Sequence, residues 1–171
     1  MVPLRGATAC GRPSAARPLQ NTHETEGTDM TVESAAFATL RRFYDAETIY
    51  LAPGGGDFAP IAATLDPDCV LYQPASLPYG GEWRGPEGFH AWMKAFGEVW
   101  SHLEVRDPQF YPSGEDVIVS RSHVYAVSRV TGQAVDWPLM QFFRIKDDRI
   151  AELRPFYWDT AALLDGIGAG S

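Results

Sequence analysis

The segment Val119-Ser120-Arg121-Ser122-His123-Val124-Tyr125 brings together the groups in this chain best suited to acid–base chemistry. Side chains alternate along a strand, so Arg121, His123 and Tyr125 share one face and Ser120, Ser122, Val124 and Ala126 share the other. An imidazole on a cavity wall can take a proton near neutral pH, which makes His123 a candidate general base with Arg121 beside it. Two other readings of His123 stay open: a hydrogen-bonded core histidine, and a surface or interface histidine. On the next strand, Trp137, Leu139, Gln141 and Phe143 alternate with Asp136, Pro138, Met140 and Phe142. If Gln141 points inward it arrives with three large apolar neighbours, and a mostly apolar wall with few polar groups is pocket composition. Tyr44 on the first helix and Asp159 before the last are further titratable candidates. Asp159 is also a natural N-cap.

A second stretch, Tyr72 to Gly85, reads YQPASLPYGGEWRG. It holds too much Pro and Gly for a helix or a central strand, yet it is rich in aromatics. That composition suits a pocket rim. The alternative is a packed aromatic loop that closes the core. Pro53-Gly54-Gly55-Gly56 is no phosphate loop, because no Gly-Lys-Ser/Thr follows and the element before it is helical. The four histidines have no close ligand spacing, so no metal is expected, and nothing calls for a cofactor.

These groups need elements to hold them. Apolar residues recur at Ala36, Phe37, Leu40, Phe43 and Tyr44, and Glu47 breaks the stripe before Tyr50. That spacing predicts a helix over 32–52, capped by Thr31. Asp57 caps a short helix over 58–65, and Cys69–Tyr72 reads as a strand. Pro86 starts a third helix whose apolar face is Phe89, Trp92, Met93, Phe96, Val99 and Trp100. Strand-like runs follow near 102–112, 115–130, 134–147 and 149–158, with turns at Thr131-Gly132 and Asp147-Asp148. A last helix spans 159–165. Three helices followed by an antiparallel meander predict an α+β domain with helices on one face of a strongly curved sheet.

The chain has 171 residues and a net charge of −8, from 14 basic and 22 acidic residues. Residues 1–29 carry three of each, so the imbalance lies in 30–171. An acidic domain without a basic stripe is a poor partner for nucleic acid or an anionic membrane, and no apolar run is long enough to span a bilayer. Residues 1–29 are polar and rich in Pro and Gly, and read as a disordered tail or, with Met30 as an alternative start, a mis-assigned one. The domain is expected over 30–166, with 167–171 as a flexible end. Cys10 and Cys69 indicate no disulfide framework and point to a reducing cytoplasm.

Arg42-Phe43-Tyr44, Leu65 to Tyr72, Ser76 to Gly81 with Gly85, and Ile150 to Asp159 resemble the nuclear transport factor 2-like superfamily, in its SnoaL-like and ketosteroid-isomerase-like branch. The resemblance spans about 31–166. It implies a cone-shaped α+β barrel with an open end for a ligand, with Tyr72 to Gly85 crossing the mouth and Tyr72, Gln73, Tyr79 and Trp83 toward an apolar guest, and often a homodimer. The interface expected here is the flat, small face of Ser120, Ser122, Val124 and Ala126.

The isomerase pattern needs a carboxylate before a proline; here the position holds Gln73, before Pro74. Its protonated Asp falls on Gln141, and its helix tyrosine matches Tyr44. An amide cannot take a proton from carbon, but its NH₂ can polarise a carbonyl. The resemblance to limonene-epoxide hydrolase matches Arg121 and puts His123 where that family keeps an acid. The SnoaL-type cyclase resemblance gives Asp159 the place of an acidic residue. Together these imply a small cofactor-free enzyme that cyclises, isomerises, dehydrates or hydrates an apolar oxygenated molecule, such as a polyketide or terpenoid. The alternative is a non-catalytic small-molecule-binding domain of the same fold.

Overall fold

Ser34 begins the ordered chemistry of the first helix: its Oγ accepts from the Phe37 amide at 3.3 Å, satisfying one of the free N–H groups of the first turn. The structure, a computed structural model, describes residues 34–52 and 54–170. The tail expected over 1–29 and the Thr31 cap lie outside the described residues. Helix α1 (Ala35–Leu51) buries Ala36, Thr39, Leu40, Phe43 and Ala46. It is followed by α2 (Ala59–Ala62), β1 (Leu65–Gln73), β2 (Gly81–Arg84) and α3 (Gly85–Val99). The long meander comes next: β3 (Trp100–Ser113), β4 (Val117–Ser128), β5 (Ala134–Lys146) and β6 (Arg149–Tyr157), then α4 (Thr160–Gly166). The described residues fall in one compact unit.

The six strands lie in the order β2-β1-β6-β5-β4-β3. Every neighbouring pair is antiparallel except β1 and β6, whose parallel register pairs Leu71 with Leu153. The helices pack on this open curved sheet, as the helix and strand order predicts. Phe43 sits at the centre of the core, with its ring edge-on to Phe89 and Phe143 at centroid distances of 5.8 and 6.3 Å. The hairpin between β5 and β6 turns on Asp147 and Asp148, both at positive φ, which suits a two-residue turn twisted like its strands. Thr39 Oγ1 donates to the Asp148 carbonyl at 3.1 Å and ties that hairpin to α1.

Two expectations need correction. Strand β4 runs the other way round: Ser120, Ser122, Val124 and Ala126 are buried, while Arg121 and His123 are exposed. The small side chains make room on the concave face for the large rings of α1, where Tyr44 packs edge-on to Phe143 at 6.0 Å. A dimer through the Ser120 face is therefore impossible, since that face is already covered. The loop 74–80 is the second correction. Leu77 and Tyr79 are buried, and the Tyr79 ring packs on Phe96 at 4.9 Å. The segment is the packed aromatic loop, not a rim. A Cβ on Gly80 would collide with the carbonyl oxygens of Pro74 and Leu77, so only glycine fits this fold-back.

At the far end, Ile167 is buried and the amides of Gly168, Ala169 and Gly170 donate back to α4 carbonyls. Packing thus extends past the expected boundary at 166. Among the described residues no helix is long and apolar enough to cross a membrane.

Candidate active site

Between α1, α3 and the concave sheet lies a narrow cavity of about 60 Å³. Its wall is mostly apolar, with Trp92, Met93, Phe96, Trp137 and Leu139 among its residues. It adjoins a wider basin of about 730 Å³ between β3 and the C-terminal ends of α1 and α3. Tyr44, Glu47, Leu51 and Phe96 border both spaces. The open end therefore lies beside the helices' C-terminal turns, away from the Tyr72–Gly85 loop.

Glu47 is the group with the most chemistry in that wall. It stands on α1 at the helical spacing of Leu40, Phe43 and Tyr44, so the stripe that docks the helix also carries a carboxylate to the cavity. Burial away from water disfavours its charge and pushes its pKa up to about 7. Among the described residues no donor or cation pairs with it. A carboxyl that is half ionised at neutral pH can both take and return a proton.

Four polar side chains besides Glu47 line the same space: Tyr44, Gln73, Gln141 and Tyr157. Tyr44 donates its hydroxyl to Gln141 Oε1 at 2.8 Å, and Ser120 Oγ approaches that oxygen at 3.4 Å. Tyr157 donates to Gln73 Oε1 at 3.1 Å. Burial raises the Tyr44 pKa, and the neighbouring Glu47 charge adds to the rise. Tyr157 is raised well above its ordinary value by burial, with Tyr79 contributing next. Both phenols thus stay protonated donors at any ordinary pH. The indole Nε1 atoms of Trp92 and Trp137 and the Ser122 hydroxyl are buried without a hydrogen-bond partner among the described residues.

The residues expected at the site divide. Tyr44, Gln73, Trp137 and Gln141 line the cavity together. His123 does not: its side chain is 46 % exposed on the outer face, with Nδ1 3.2 Å from Asp136 Oδ1. Arg121 lies on the same face, where Nη1 donates to Gln109 Oε1 at 3.3 Å. Tyr125 lies there too, under the Arg106 guanidinium at 4.4 Å from the ring centroid. Tyr72 is likewise outside, under Arg154 at 4.1 Å. Tyr79 is buried behind the wall, where its hydroxyl accepts from Trp100 Nε1 at 3.4 Å, and Trp83 Nε1 donates to the Tyr79 carbonyl at 3.2 Å. Asp159 is exposed and caps α4, accepting from the Ala161 and Ala162 amides at 2.9 and 3.0 Å.

Sequence reasoning missed Glu47 and Tyr157. The signal for Glu47 was present: an acid interrupting an otherwise apolar helix stripe is costly to bury, and it asks for a reason. No cluster of three or more His, Cys, Asp or Glu among the described residues could hold a metal ion.

A family model for a SnoaL-like domain matches residues 40–153. The chain belongs to the SnoaL-like family. This SnoaL-like domain shares its fold with an NTF2-like protein of unknown function from Burkholderia pseudomallei, at 22% identity and a TM-score of 0.68 over 78% of this chain and 98% of that one. It is also similar to a candidate SnoaL-like polyketide cyclase from Jannaschia, at 21% identity and a TM-score of 0.67 over 85% and 100% of the two chains. TerC, crystallised with polyporic acid, matches at 16% identity and a TM-score of 0.66 over 79% and 99%. At these identities the likeness is one of fold. No curated protein sequence matches the chain.

Proposed function

We propose that this SnoaL-like domain is a cofactor-free enzyme that binds an apolar, oxygen-bearing small molecule and moves a proton on it, with Glu47 as the acid–base group. The observation that carries the reading is the Glu47 carboxyl on the wall of a mostly apolar cavity, with no donor or cation paired to it among the described residues. Glu47 as carboxylate takes a proton from carbon beside a carbonyl, and the electron pair moves onto the carbonyl oxygen. Gln141 and Gln73 line the same space with their oxygens held by Tyr44 and Tyr157, which leaves their N–H groups to stabilise that developing charge. Glu47, now a neutral acid, returns the proton. Delivery to another carbon gives isomerisation, and delivery to a leaving hydroxyl gives dehydration. Attack of the enolate on a second carbonyl of the same molecule, with the proton passed to the new alkoxide, gives aldol ring closure.

Two relatives of the same fold support a ligand of this kind. One is the candidate polyketide cyclase and the other is TerC, crystallised with polyporic acid. The test is proton–deuterium exchange at the α-carbon of 2-tetralone, followed by NMR. The wild-type protein should accelerate exchange, with a rate that rises as pH passes through about 7. Glu47→Gln should lower that rate by about 10²-fold or more, the usual share of a positioned base. An equal rate in the variant would remove Glu47 from the chemistry.

A further inference from the structure

Gln73 and Gln141 stand on one rung of the concave face. Gln141 pairs with Pro155 across β5 and β6. Leu71 pairs with Leu153 across β1 and β6, so Gln73, two residues on, approaches Pro155 from the other side. Strands lie about 4.8 Å apart, which puts the two glutamine Cα atoms roughly 10 Å from each other. The compact ring of Pro155 lies between them and leaves the space above it to the two amides. All three residues line the cavity.

Each carboxamide is held by its oxygen. Tyr157 donates to Gln73 Oε1 and Tyr44 to Gln141 Oε1, with Ser120 as a second, longer contact. A carboxamide has one accepting end and one donating end. With both oxygens engaged, both NH₂ groups are left to the cavity, and among the described residues neither donates to a protein acceptor. Gln73 is 7 % exposed and lines the cavity. Glu47 borders the same space and repels an anionic guest whenever it is ionised.

We infer that Gln73 and Gln141 form a paired donor clamp for a neutral ligand with two acceptor oxygens on an apolar frame, and that Tyr157 and Tyr44 are the positioning residues that aim the two amides. The ligand class is a diketone, a keto-lactone or another neutral dicarbonyl. The inference rests on the cavity being the ligand site, as proposed above.

The experiment is an NMR titration of the full chain with decalin-1,5-dione and with 1-decalone, which share a frame and differ in one acceptor. Gln73→Met should weaken the dione by about tenfold, the worth of one well-placed hydrogen bond. It should weaken the monoketone by no more than about threefold, because that ligand can use the remaining amide. Tyr157→Phe should weaken the dione several-fold in the wild-type background and have no further effect in Gln73→Met, since it acts only through that amide. Tyr44→Phe with Gln141→Met gives a second, independent cycle, which decides the matter if a Gln73 or Tyr157 variant fails to fold. Additive effects in the cycles, or a dione no more sensitive than the monoketone, would overturn the clamp and leave the cavity standing. Failure of both ketones to bind the wild-type protein would overturn the cavity reading and the clamp with it.

Discussion

Glu47 stands one helical turn beyond Tyr44 on α1, and both reach the same cavity from one face of one helix. The pair is coupled: the carboxylate charge raises the phenol further, so the hydroxyl stays a donor to Gln141 while the carboxyl titrates. One short stretch of helix therefore supplies a group that moves protons and a group that does not.

The raised Glu47 pKa has a stability consequence. Its ordinary value is near 4.5 and its folded value about 7, so the folded state binds this proton more tightly than the unfolded state. The sign follows: stability is favoured below about pH 4.5, declines as the unfolded chain ionises, and the loss is complete once pH has risen through about 7. Glu47→Gln removes the titration. The variant should match the wild type in thermal stability at pH 4.5 and exceed it by about 1–3 kcal/mol above pH 7, a range that allows for the solvent the side chain still meets. Equal denaturation midpoints for the two proteins at pH 8 would show that the carboxyl is not desolvated.

His123→Gln should change little. The imidazole is on the outer face and its pairing with Asp136 is an exposed one, a type of contact that contributes about 0–1 kcal/mol. Proton exchange on 2-tetralone should stay within about twofold of wild type, because no step in the cavity uses this ring. A tenfold loss of that rate in a folded variant would restore His123 to the mechanism.

Gly80→Ala should destabilise the domain by more than about 2 kcal/mol. Its new methyl meets two backbone carbonyl oxygens, which cannot swing aside as a flexible side chain can. Chemical denaturation would measure the cost. A variant as stable as wild type would mean that the 74–80 loop does not hold Tyr79 and Leu77 in the core.

Periodicity alone determined which residues travel together. The period of two placed Arg121 with His123 and Tyr125, and Ser120 with Ser122 and Val124, and both groupings hold in the strand. The helix stripe likewise placed Tyr44 on the face that docks, and the turn at Asp147-Asp148 was legible because two short acidic residues tolerate a left-handed backbone. Which face of β4 turns inward was not legible, because alternation carries no sign. The flat row of serines is equally suited to another sheet or to the bulky rings of α1, and only the packed fold brings Tyr44, Gln141 and Ser120 within hydrogen-bond reach. Glu47 shows the same limit. One acid in an apolar stripe marks a costly position, but its raised pKa arises from what other elements remove: α3 and the sheet take away much of the water that would have kept it ionised.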